Sequence, residues 1–247
     1  MELFEPLATH PWLFAGVVFV FALVVGSFLN VVIHRLPIML EREWKAECTR
    51  LDGREPEQQP VYNLLRPRSA CVSCGKTITA VENIPVIGWL VLRGRCSGCG
   101  TKISPRYPVV ELFTAVLSAA VALRFGFAVE TAAALVLTWA LIALSGIDID
   151  HQILPDSITL PMLWLGIVLS LFQTTFSGEV LFITPSRAIL GAVLGYLTLW
   201  SVYHLFRLAT GKEGMGYGDF KLLALLGAWL GPAPLPLIIL LSAFVGA

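Results

Sequence analysis

Charge is what this sequence has little of: 14% of its 247 residues are Asp, Glu, Lys or Arg, and the 17 acids balance the 17 Lys and Arg. With 56% apolar residues and a mean hydropathy of +0.77, that scarcity excludes an ordinary soluble domain. The first ten residues carry no Lys or Arg, so no cleavable signal is evident, and "PWLFAGVVFVFALVVGSFLNVVI" reads as a permanent membrane helix. No G-x-S-x-G elbow and no strand-bounded Gly-rich cofactor fingerprint occurs. The four histidines, His10, His34, His151 and His204, are scattered and form no ligand constellation. A net charge of zero decides nothing about nucleic acid, and no nucleic-acid partner is expected.

What is present is a series of apolar runs of roughly 20 residues each, at about 11–33, 107–125, 130–147, 157–175, 186–207 and 220–231. A seventh begins near 235 and meets the end of the chain at Ala247. The exception is the charged, Cys-bearing stretch 36–105. Of the 17 Lys and Arg, 12 lie between Arg35 and Arg106. Basic loops mark the cytoplasmic side, so this insert is expected there and the N-terminus outside. Alternation then brings Asp148, Asp150 and Asp156 into one inside loop and Asp219 into the next. The expectation is an all-α polytopic membrane protein of about seven or eight spans, the last truncated, with a cytoplasmic zinc-ribbon-like insert. Its domains would be a first helix over 1–35, the insert over 36–105 and a membrane domain over 106–247.

Five cysteines occur, and four form the pattern C-x2-C-x21-C-x2-C at Cys71, Cys74, Cys96 and Cys99. Each pair is followed by Gly, which lets the backbone turn back toward sulfur. Four thiolates fill a tetrahedral ion's coordination, so a structural zinc is expected rather than a catalytic one; two redox dithiols or disulfides are the alternative. An insert of about 70 residues with few long apolar runs has little core, and a metal would replace it.

Two acidic stretches remain, "IDIDHQILPD" and "GMGYGDFKLLALLG". An ionisable residue at the end of a span is costly, which favours a functional reading of Asp148 over Asp150. Asp156 follows Pro155 and suits a helix N-cap, and Asp219 could equally cap its own helix. Capping leaves the alternating Gly214, Gly216 and Gly218 unexplained; glycine at that density allows close approach of another backbone to the acid. Two carboxylates held close share a proton, one activating water while the other polarises a carbonyl.

These residues resemble the GxGD aspartyl proteases, through "GYGD" and a second Asp in "IDIDHQILPD". More narrowly they resemble the bifunctional prepilin leader peptidase/N-methyltransferases of type IV pilus and type II secretion systems. "GSFLNVVIHRLP", "ENIP", the paired C-x-x-C and "RYPVVE" follow that family's pattern in order, across nearly the whole chain. The resemblance implies a bacterial inner-membrane enzyme that cleaves the leader from type IV prepilins and pseudopilins at the cytoplasmic face. It implies N-methylation of the new terminus from S-adenosylmethionine, catalytic acids at Asp148 and Asp219, and zinc ligands at Cys71, Cys74, Cys96 and Cys99. Family members continue for about one more membrane helix, so the chain is expected to lack that segment. Glu82 and Asn83 of "ENIP" and Glu111 are candidates for the methyl-donor site, though a loop turn and a buried hydrogen-bonding acid explain them equally well. The rivals are a membrane peptidase without methylation and a proton-coupled transporter using intramembrane acids.

Overall fold

The structure, a computed structural model, describes residues 5–57, 60–172 and 183–246. Among these residues the fold is all helical: α1 Glu5–Thr9, α2 Pro11–Leu51, α3 Ile87–Val91, α4 Arg106–Phe125, α5 Val129–His151, α6 Asp156–Leu171, α7 Pro185–Thr210, α8 Tyr217–Leu230 and α9 Leu235–Gly246. No strand is present among them, only two isolated bridges in the cysteine insert. All seven apolar runs contain helix. Residues 173–175 of the fourth run, and most of the loop after it, lie outside the described residues.

Four helices, α2, α4, α5 and α7, are long and apolar enough to cross a membrane. Only 22–39% of their apolar windows is buried within the protein, so most of that surface is left to lipid. Helices α6, α8 and α9 are shorter, at 16, 14 and 12 residues. At 1.5 Å per residue α8 extends about 21 Å, less than the hydrocarbon thickness. It stops at Gly231, whose φ of +78° only glycine adopts easily, with Pro232 behind it.

Helix α2 outlasts its apolar stretch. It continues through Pro37 to Leu51, 41 residues in all and about 60 Å, so its second half lies beyond the span. Its polar turns are helped by a Glu41–Lys45 pair at 2.6 Å, an i,i+4 arrangement.

The chain divides into two compact units, Met1–His151 and Gln152–Ala247. In the first, α2, α4 and α5 pack through small residues. A Cβ on Gly26 of α2 would meet the Cα of Glu111 at 2.7 Å, so glycine sets how closely α4 approaches. Trp139 of α5 donates its indole N–H to the Ser118 hydroxyl of α4 at 2.9 Å. In the second, Gly191 of α7 and Gly227 of α8 lie backbone against backbone. Trp229 covers Gly166 of α6 and donates to the Met162 carbonyl at 2.8 Å.

Candidate functional site

The cysteine insert builds the same knuckle twice. Cys71 N–H donates to the Lys76 carbonyl at 2.9 Å and its own carbonyl accepts from Gly75; Cys96 N–H donates to Thr101 at 2.8 Å and its carbonyl accepts from Gly100. Bridges Ala70–Thr77 and Arg95–Lys102 flank the two turns. Gly75 and Gly100 have φ of +70° and +74°, and a Cβ at either would meet nothing, so conformation rather than space demands glycine.

The knuckles bring all four sulfurs within 4.8 Å of one another. Cys71 and Cys99 sulfurs are 3.8 Å apart, and Cys74 and Cys96 sulfurs 4.0 Å. Four sulfurs at about 2.3 Å from a tetrahedral ion would be separated by about 3.8 Å, so the cluster fits zinc. The thiols cannot all ionise unaided. The Thr101 hydroxyl and backbone hold Cys99 down to about 6. Cys74 rises to about 11: the Lys76 backbone N–H favours its thiolate, but hydrogen bonding with Cys99 and the other thiols outweighs it. A bound divalent cation removes that conflict by stabilising four thiolates together.

Glu82 ties the second knuckle to the turn before α3. Its carboxylate accepts from the Thr79 N–H and hydroxyl, both at 2.9 Å, and from Ser97, with Lys76 at 3.3 Å. Ser97 and Thr79 together hold the acid down to about 2. Next to this turn a cavity of about 620 Å³ opens between the insert and the facing ends of α2 and α4. Glu82, Asn83 and Glu111, the three residues singled out from sequence, all line it. Pocket residues that sequence reasoning missed include Asn30, which is buried and donates to the Tyr107 carbonyl at 3.1 Å, and Trp89, whose indole N–H donates to Ile103. Asn30 falls inside the stretch "GSFLNVVIHRLP", but its partner and that of Trp89 lie 77 and 14 residues away, so no linear pattern assigns either a role.

Asp148 and Asp150 are not in a loop. Helix α5 runs on to His151, ending where Gln152 takes a φ of +53°, and both acids occupy its last turn. Two residues apart on a helix means about 200° of rotation, so they point to different sides. Asp150 is committed: its Oδ1 accepts from Arg106 Nη1 at 2.6 Å, while Arg106 Nη2 donates to the Gly146 carbonyl at 3.2 Å. That guanidinium thus supplies positive charge and a donor at a helix C-terminus, where acids are unfavourable by about 0.3–1 kcal/mol each. Within its own unit Asp148 has no ion-pair partner among the described residues, and its side chain is exposed. A local rule broken without local compensation points to function.

Asp219 lies in the second unit, in the first turn of α8, three residues after the N-cap Gly216. An acid is favourable there, among unpaired N–H groups. The turn is held by its neighbours. Phe220 is fully buried in an aromatic group with Tyr196, Tyr203 and Tyr217, at centroid distances of 5.6–5.9 Å. Lys221 binds both oxygens of Asp156 at 2.7 Å. Asp156 is therefore an ion-pair partner at the first position of α6; the N-cap expected of it falls to Pro155.

The three glycines divide their roles. A Cβ at Gly214 would strike the Phe206 ring and one at Gly218 the Leu154 side chain, both at 2.9 Å. Those two make room for this chain's own packing. At Gly216 the nearest atom would be Asp219 Oδ2 at 3.8 Å, so this glycine alone leaves space beside the carboxylate.

Both halves of the chain match known proteins. Residues 20–125 match the bacterial peptidase A24 N-terminal domain, and residues 135–247 match the type IV leader peptidase family. A prepilin leader peptidase/N-methyltransferase of Aeromonas hydrophila is 56% identical over 239 residues, 96% of this chain and 80% of the relative. Its counterpart in Pseudomonas aeruginosa is 55% identical over 248 residues, all of this chain and 83% of that one. That of Burkholderia pseudomallei is 47% identical over 98% of this chain and 78% of its own length. No solved structure matches.

Proposed function

The chain belongs to the type IV leader peptidase family, with relatives named as prepilin leader peptidase/N-methyltransferases, and we propose that Asp148 and Asp219 are its peptidase dyad. It is a membrane enzyme of two activities, cleaving the leader from prepilins and methylating the terminus that cleavage exposes. The observation that carries the dyad is the split between neighbours. Asp150 is fixed to Arg106 and Asp156 to Lys221, whereas Asp148 is exposed in the last turn of α5 with no ion pair inside its unit among the described residues, and Asp219 opens α8 beside the clear space at Gly216.

In this reading one carboxylate takes a proton from water as the water oxygen attacks the scissile carbonyl, and the other, protonated, donates toward the carbonyl oxygen. Collapse of the tetrahedral carbon breaks the C–N bond, and the amine nitrogen leaves with a proton returned from the pair. The open space at Gly216 gives an extended peptide backbone access to Asp219. The substrates are type IV prepilins and pseudopilins, and no nucleic acid takes part. The site faces the cytoplasm of a bacterial inner membrane, as does the basic insert.

Cys71, Cys74, Cys96 and Cys99 hold a structural zinc: with four protein ligands no position remains open for water or substrate. S-adenosylmethionine supplies an electrophilic methyl group on a sulfonium. The new amine must reach it unprotonated, so the chain's part is to bind, orient and exclude water. Asp148→Asn and Asp219→Asn test the dyad. Each variant should fold and keep its zinc yet fail to cut purified prepilin in detergent, and retained cleavage in either would remove that residue from the mechanism.

A further inference from the structure

The cavity beside the cysteine knuckles has a use that the dyad does not. Resting on the methyltransferase reading above, we propose that this cavity is the pocket for S-adenosylmethionine and that Glu111 is the counter-charge for its sulfonium.

Size and chemistry come first. A volume of about 620 Å³ lies within the roughly 300–1,000 Å³ range of small-molecule pockets. The ligand combines an aromatic base with a sulfonium and a zwitterionic amino acid. The wall offers Trp89 and Tyr107 as aromatic surfaces and Asn30 and Asn83 as amides. The charges decide more. Arg35 is spent on the Asn63 and Leu64 carbonyls, at 3.0 and 3.5 Å, and lies over the Tyr62 ring. Lys76 is spent on Ser97 and Glu82, so Glu82 already has its cation. Glu111 is different. It is 7% exposed, lines the cavity, and has no Lys or Arg in salt-bridge range among the described residues. A buried carboxylate with no cation is costly, and a ligand that brings a positive charge offsets that cost.

The backbone around Glu111 supports the same reading. Oε2 accepts from the Val86 N–H at 2.7 Å, and the Ser27 side chain also bonds the carboxylate. Val86 has φ of +60°, a conformation that a β-branched residue adopts only under constraint. Such outliers persist where surrounding structure over-determines them, and they cluster at ligand sites. Here one acid joins α2, the start of α3 and α4 around the cavity.

The bland alternative is that Glu111 only pins α3. Binding of S-adenosylmethionine, with its sulfonium, and of S-adenosylhomocysteine, a neutral thioether there, separates the two. Calorimetry on the full chain in detergent serves, with zinc content measured for every variant. Ala70→Trp and, independently, Ile84→Trp add bulk to the wall and should weaken both ligands by about tenfold or more with zinc retained. Glu111→Gln keeps an oxygen for the Val86 N–H but loses the charge. It should weaken the sulfonium ligand by about tenfold relative to the thioether. Wall variants that keep zinc and bind like the wild type overturn the pocket, and equal weakening of both ligands by Glu111→Gln overturns the counter-charge. A wild-type protein that binds neither ligand sinks the methyltransferase reading, and this proposal with it.

Discussion

The two units of the chain build their chemistry from opposite materials. Through His151 the functional features rest on side-chain partners far apart in sequence: four thiols from two knuckles, Glu82 on Ser97 across 15 residues, Arg106 on Asp150 across 44 residues. From Gln152 onward they rest on clearance, with glycine backbones in contact and an aromatic group closed around Phe220. The lesson is that the two should fail differently. At the candidate site residues, the first is sensitive to loss of a charge or a metal, and the turn before Asp219 in the second to the gain of a single methyl group.

Removal of the metal should be the largest effect. Cys71→Ser takes away a ligand of a site of a kind worth on the order of 10 kcal/mol to a small fold. Elemental analysis should find zinc lost, and protease cleavage within 36–105 should rise while 183–246 stays resistant. A variant that keeps stoichiometric zinc would break the comparison at its strongest point. In the second unit, Gly218→Ala should cost about 1–3 kcal/mol through collision with Leu154, lowering the melting temperature. Gly216→Ala, with open space and an extended backbone at φ −78° and ψ 148°, should be nearly neutral. The reverse ranking would show that the glycines had been assigned the wrong way round.

Arg106→Gln should cost about 1 kcal/mol, since the pair with Asp150 is partly exposed. A double-mutant cycle with Asp150→Asn measures the coupling, and a coupling of zero would remove Arg106 as the clamp on the end of α5. The last effect, read through pH, concerns Glu82. Its acid sits at about 2 in the folded protein, below its ordinary 4.5, so its contribution is complete above about 4.5 and is lost as pH falls toward 2. The stability difference between wild type and Glu82→Gln should shrink across that window, and a constant difference would contradict the hydrogen-bonding account.

Legibility follows the same division. The knuckles could be read from spacing alone, because C-x-x-C-G is a local geometry whose glycine φ the sequence announces. The helices could be read from their apolar runs. Their ends were less visible: α5 was expected to stop at 147, yet the helix continues to His151. Likewise α2 passes Pro37, although a proline inside a helix removes one backbone hydrogen bond. The Arg106–Asp150 clamp had no signature, and of the cavity only Glu82, Asn83 and Glu111 were marked; the rest of its wall is made by residues that only the fold brings together. The glycines before Asp219 were visible as a cluster, but their separate tasks depend on Phe206 and Leu154, which no local pattern connects to them.

The central claim is that one acid from each unit performs cleavage. Mass spectrometry of a prepilin incubated with the protein and S-adenosylmethionine tests it most directly. The wild type should yield a shortened, N-methylated pilin. Asp148→Asn and Asp219→Asn, each folded and zinc-loaded, should leave it at full length, with cleavage slowed by about a thousandfold or more. Shortened pilin produced at the wild-type rate by either variant would contradict the account.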